Sequence, residues 1–130
     1  DQTDPETLAT LRSQAVGIGL VVAIVTGVFT DAEARALIER TVFKATRGHW
    51  RESFARHLLN YILHVEFEHT PRLIAEVMGR DRSTVTHSIE TIEDRRDDPA
   101  LDVAVTRLAK LAEEIIALRD AFASGVNAKP

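Results

Sequence analysis

TPRLIAEVMGRDRSTVTHSIETIEDRR, Thr70 to Arg96, is the stretch on which the reading of this chain turns. Thr70 followed by Pro71 pairs a capping hydroxyl with a proline whose missing N–H suits the first helical position. Leu73, Ile74, Val77 and Met78 then recur at three- and four-residue spacing, which predicts a short helix with one buried face. Gly79 ends it, since glycine enters the left-handed conformation of a helix C-terminus without a Cβ clash. Asp81 stands where it can cap a second helix, and Val85, Ile89 and Ile92 at i, i+4 and i+7 predict its inward side. Arg82, Ser83, Thr84, Thr86 and His87 are left to front its exposed start. Polar side chains gathered at a helix start raise the question of what they meet.

Outward from this pair, helical spacing recurs and strand-like alternation is nearly absent, so an all-α fold of about six helices is expected. The first runs from Pro5 to about Val28, with Thr7, Leu8, Leu11 and Ala15 leading into AVGIGLVVAIVTGVF, Ala15 to Phe29. Thr30 caps a second that ends near Gly48, with Ala34, Leu37, Ile38 and Val42 inside. Trp50, Phe54, Leu58, Leu59, Ile62 and Leu63 frame a third. After Asp97, Asp98 and Pro99 a long last helix reaches about Ala123, and its Leu108, Leu111, Ile115, Leu118 and Phe122 follow a heptad-like spacing. That stripe fills about two heptads where a coiled coil needs three or four, so it either packs back on the domain or joins a second copy. The balance leans to a homodimer. The expected organisation is a DNA-binding unit at 7–98, the packing or dimerisation helix at 99–123 and a flexible tail at 124–130.

At 130 residues, 45% apolar and 28% charged, the chain has the make-up of one ordinary globular domain. It has no cysteine, which removes disulfides and thiolate metal sites and suits a reducing cytoplasm. The fifteen-residue apolar run would reach about 22 Å as a helix, short of the roughly 30 Å hydrocarbon layer, so it is expected in the core rather than in a membrane. Asp1, Asp4 and Glu6 ahead of it oppose a secretory signal. The chain begins at Asp1 rather than Met, as an excised piece of a longer protein would.

The net charge of −4 argues against a general polyanion binder, but its distribution is uneven. Arg47, Arg51 and Arg56 against Glu52 give +2, and Arg72, Arg80 and Arg82 against Glu76 and Asp81 give +1. From Ser88 to Asp102 six acids oppose Arg95 and Arg96, giving −4, most simply a solvated face. Surface arginines are common, so each of Arg47, Arg51 and Arg56 has an ordinary reading beside the functional one. His64 and His69 are five residues apart, a poor pairing on a helix, and no H-E-x-x-H occurs, so no metal site is expected. No nucleophile, base or metal constellation supports an enzyme, and no cofactor is expected.

Two short helices joined by a three-residue turn with a glycine, the second polar at its start, fit the helix-turn-helix pattern. Arginine can fork onto a guanine edge, serine and threonine can donate or accept, and a recognition helix reads with its N-terminal residues. Three segments also stand in order: Arg56-His57-Leu58-Leu59-Asn60-Tyr61-Ile62-Leu63, Thr70 to Gly79, and Arg80-Asp81-Arg82-Ser83-Thr84-Val85-Thr86-His87. Over roughly forty residues, with one glycine missing before Arg80, they resemble the C-terminal DNA-binding domain of the bacterial replication initiator DnaA. The resemblance implies that Asp81, Arg82, Ser83 and Thr84 meet bases in the major groove, joined by His87. It implies phosphate contacts at Thr70, Pro71 and Arg72, with Arg80 beside them and His64 where the family often has a lysine. An arginine of the basic loop would approach the minor groove, at Arg47 or Arg51, with Arg56 nearby.

Departures from that family matter as much. Arg82 replaces a histidine at a base-reading position, so the preferred site need not be the initiator's. No G-x-x-x-x-G-K-[ST] loop is present, so no nucleotide is expected. The chain looks most like small stand-alone relatives in alphaproteobacteria and their prophage-like gene clusters, among them activators of gene transfer agents. The likeness implies a cytoplasmic, nucleoid-associated transcription regulator, an activator by analogy, whose partner is double-stranded DNA. The alternative is an interaction protein that keeps this fold and contacts the transcription or replication machinery.

Overall fold

The computed structural model describes residues 4–26 and 50–125. Among them the regular elements are α1 (Pro5–Val25), α2 (Trp50–Val65), α3 (Pro71–Met78), α4 (Arg82–Arg95) and α5 (Pro99–Ala123), with no strand. The helix expected from Thr30 to Gly48 lies outside the described residues, as does the tail from 126 onward.

Local chemistry accounts for most helix starts. Proline stands at the first position of α1, α3 and α5, and the residue before it caps. Asp4 accepts from the Thr7 amide at 3.3 Å, Thr70 Oγ1 from Leu73 at 3.2 Å and Asp98 from Ala100 at 3.0 Å. The exception is α4. Asp81 occupies the capping position in extended backbone (φ −74°, ψ 149°), yet its side chain makes no capping hydrogen bond, contrary to the sequence expectation.

Helix α1 ends at Val25, three residues earlier than expected. Thr26 turns its hydroxyl onto the Val22 carbonyl at 2.8 Å, offering that terminal acceptor a local partner. At 21 residues, about 32 Å, α1 is long and apolar enough to cross a membrane by length and composition, which the shorter apolar run did not suggest. In this fold its Leu11, Ala15, Ile18, Gly19, Val22 and Ala23 are buried, so that side serves as core.

Helix α2 is the hub, packing against α1, α3 and α4, while α5 lies along α1. Leu11, Ile18 and Val22 meet Leu58, Leu59, Ile62 and Leu63, with Ile74, Val85 and Ile92 closing one side and Val105, Leu108 and Ile116 the other. The α5 packing face differs from the expected stripe. Val105, Leu108, Ala109, Ala112 and Ile116 are buried; Ile115 is half-buried, and Leu111, Leu118 and Phe122 are exposed. Small residues explain the choice. Ala109 and Ala112 are buried beside the larger side chains, and α5 comes close enough to α1 that a Cβ on Gly17 would lie 3.6 Å from Ile116 Cδ1 and 3.3 Å from Arg119 Nη1. Arg119 donates to the Ser13 carbonyl at 2.6 Å across the same contact.

Candidate nucleic-acid interface

The site is built by the turn between α3 and α4. Gly79 adopts φ 65°, ψ 39°, and the Arg80 amide returns to the Ala75 carbonyl at 2.9 Å, closing the C-terminus of α3 as a Schellman motif. The chain leaves in extended form through Asp81, and α4 begins at Arg82. Its orientation is fixed from behind: Val85 and Ile92 are fully buried and Ile89 nearly so, as the spacing predicted. Arg82, Ser83, Thr84 and His87 are exposed as a consequence, with Thr86 half-buried.

The remaining candidate residues divide by element. Arg80 and Asp81 are exposed in the turn, Thr70 and Arg72 are exposed at the start of α3, and Pro71 is half-buried there. His64 is half-buried at the end of α2, and its Nδ1 lies 2.8 Å from the His69 carbonyl. A carbonyl only accepts, so Nδ1 carries the proton and Nε2 is the nitrogen left for any other partner. Arg56 is half-buried and donates to Ser53 Oγ at 3.2 Å. Arg47 lies outside the described residues, and of Arg51 only the backbone, within α2, is described.

Electrostatics separate the two ends of α4. Neither α3 nor α4 has an acid in its first turn, whereas α1 carries Glu6 there and α5 carries Asp102. A helix start is a positive pole that favours acids by roughly 0.3–1 kcal/mol each, so Arg72 and Arg82 stand where intrahelical electrostatics disfavour them. The acids Glu90, Glu93, Asp94, Asp97 and Asp98 occupy the second half of α4 and the turn beyond it, all exposed.

Several functional-looking groups are not apparent from the sequence pattern. Ser88 and Asn60 are buried polar residues: Ser88 Oγ lies 2.7 Å from His57 Nδ1 and 3.2 Å from Asn60 Nδ2. The signal was present, since Ser88 stands three residues after Val85 and four before Ile92, on the inward side. The His57 ring also meets His87 edge to face, with centroids 5.8 Å apart. Burial, then His87, Arg56 and Arg95, hold the His57 pKa below its ordinary value. Arg96 ties the end of α4 to α2 and α5, donating to Asp102 at 2.7 Å, Tyr61 at 2.9 Å and Thr106 at 2.8 Å. Arg95 lies over the Phe54 ring, 4.7 Å from its centroid.

Among the described residues no three His, Cys, Asp or Glu side chains gather to hold a metal ion. No protein-family model, curated protein or solved structure matches the chain.

Proposed function

We propose that the chain is a sequence-specific, double-stranded DNA-binding regulator of transcription, a stand-alone relative of the DnaA C-terminal helix-turn-helix domain that reads with α4. The observation that carries this reading is the start of α4. Arg82, Ser83 and Thr84 are exposed there with no acid in the first turn itself and with the Asp81 carboxylate before them unused as a cap, on a helix anchored behind by Val85, Ile89 and Ile92. Open N–H groups and a guanidinium together form a place for an anionic, acceptor-rich surface. Arg82 can fork onto guanine, Ser83 and Thr84 can meet neighbouring bases, and the uncapped Asp81 carboxylate can accept from a cytosine amine. His87 extends this surface by one turn. α3 is about 12 Å long, comparable to the width of the major groove, so Thr70, Pro71 and Arg72 suit one phosphate backbone while the α4 start lies in the groove. Arg80 holds a phosphate beside them, His64 can add a contact through Nε2, and Arg47, Arg51 and Arg56 serve an adjacent groove. Such a protein works on cytoplasmic, nucleoid DNA.

A second reading, a protein that contacts another copy of itself or the transcription or replication machinery, is favoured by the exposed Leu111, Leu118 and Phe122 of α5. Duplexes selected from a random pool separate the two. Arg82→Ala is expected to weaken binding to the selected duplex by roughly 1–3 kcal/mol and to relax one base position, with little effect on random DNA. Affinity for random DNA should fall with salt at a log–log slope of about −0.9 per phosphate contacted. Unchanged affinity and base preference in the Arg82 variant would remove α4 from the groove; a protein that binds no duplex at low salt would leave the interaction reading.

A further inference from the structure

Among the described residues, the side of α4 that faces the core rests on apolar side chains except at Ser88. Val85, Ile89 and Ile92 rest on a core that includes Leu58, Leu59 and Ile62, and apolar contact has no direction, so it resists separation better than rotation. Ser88 supplies direction. Its Oγ is held by His57 and Asn60, which stand three residues apart on consecutive turns of α2. Thr84 is one turn before Ser88 on the same helix, and His87 is its neighbour. A rotation of α4 that broke this grip would turn Thr84 and His87 with it.

The grip has a polarity. Asn60 Nδ2 donates to Ser88 Oγ, so the Ser88 hydrogen is available to His57 Nδ1, which accepts it only in the neutral tautomer protonated at Nε2. A proton on Nδ1 reverses the bond. Ser88 Oγ would then receive two donors, and its own hydrogen would lack an acceptor unless the Asn60 amide rotated. Asn60 Oδ1 is buried without a partner, but rotation would orphan Nδ2 in its place. The charged or titratable groups that face His57 among the described residues are Arg56 on α2, and His87 and Arg95 on α4. All three act against a charged ring.

We propose that His57 is the positioning residue of the DNA-facing helix, that it acts through Ser88, and that it does so only as a neutral imidazole, so that base discrimination by α4 is lost on acidification. This rests on the DNA-binding reading of α4.

The test measures, at constant ionic strength, affinity for the selected duplex and for a random duplex from pH 8 to 5.5. Wild type is expected to lose about tenfold in the ratio of the two, the value of one poorly read base pair. His57→Gln keeps a hydrogen-bonding group without a titrating ring, and its ratio should stay within about threefold of wild type at pH 8 and change little on acidification. His87→Gln should keep the acid loss. A wild-type ratio independent of pH, or an equal acid loss in His57→Gln, overturns the proposal. DNA-free protein supplies the second measurement, amide resonances of residues 82–88 followed through the His57 ring titration. They should move with that titration in wild type and be released from it in Ser88→Ala; amides that ignore the ring overturn the positioning role. If no duplex binds while the amides still follow His57, the DNA reading fails and the positioning role stands.

Discussion

Gly79 shows how much one residue settles. Its φ of 65° lies in the left-handed region, and a Cβ built there meets nothing within 4 Å. The requirement is thus conformational and not steric. Gly79→Ala should lower stability by about 1–2 kcal/mol, the left-handed penalty for a residue with a Cβ, read as a lower urea midpoint with an unchanged slope. An unaltered midpoint would mean that the αL turn does not decide where α3 ends. This residue was legible from sequence because glycine has a narrow set of reasons to follow a helix. Ser88 was not, although its spacing places it inward, because a hydroxyl among Ser83, Thr84 and Thr86 reads as one more exposed polar group. What distinguishes it is Asn60 and His57, some thirty positions earlier in the chain, and no local pattern carries that pairing. Asp81 erred the other way: its position predicted a cap, but position does not compel a side chain to bond.

Helix α5 shows what periodicity can and cannot decide. The proline starts of α1, α3 and α5 and the inward side of α4 were readable, because capping chemistry and three-four spacing act within a few residues. Spacing alone leaves open which face of α5 packs on the domain and which would join a second copy, because two apolar stripes run side by side along it. Leu111, Leu118 and Phe122 stand out by size, whereas the buried positions are Val105, Leu108, Ala109, Ala112 and Ile116. Close approach favours small side chains, and composition alone ranks them low. Replacing Ile116, 6% exposed, by Ala should destabilise the fold by about 2–5 kcal/mol, while Leu118→Ala at 56% exposure should stay within about 0.5 kcal/mol in dilute protein. Equal losses in chemical denaturation would show that the packing face has been assigned to the wrong stripe. If Leu118 and Phe122 join two copies, the Leu118 loss should instead grow with protein concentration, since association stabilises by mass action.

Histidines couple the whole molecule to pH. His57 holds α4 to α2, and His69 links the α2–α3 connection to α1, with its Nε2 2.6 Å from Gln14 Oε1. Burial lowers the pKa of both below the ordinary 6.5; His57 is also opposed by His87, Arg56 and Arg95. The unfolded chain therefore binds more protons than the folded one once pH falls toward 6.5, and stability drops with pH until it passes below the folded values, where the loss levels off. Glu66 has the opposite sign. Its hydrogen bond with Glu113, then burial, raise its pKa above the usual 4.5, so protonation there relieves a penalty, in a more acidic window. From pH 7.5 to 5.5 the histidine effect should dominate and the thermal midpoint should fall. His69→Gln, which can still hydrogen-bond to Gln14 but cannot titrate, should fall less, and a variant with both His57→Gln and His69→Gln should be nearly flat over this range. A wild-type midpoint that holds steady or rises down to pH 5.5 would mean that neither ring is kept neutral by the fold. The acid sensitivity of α4 would then need another source, because the same half-buried imidazole cannot be indifferent to protons in folding and responsive to them in positioning a helix.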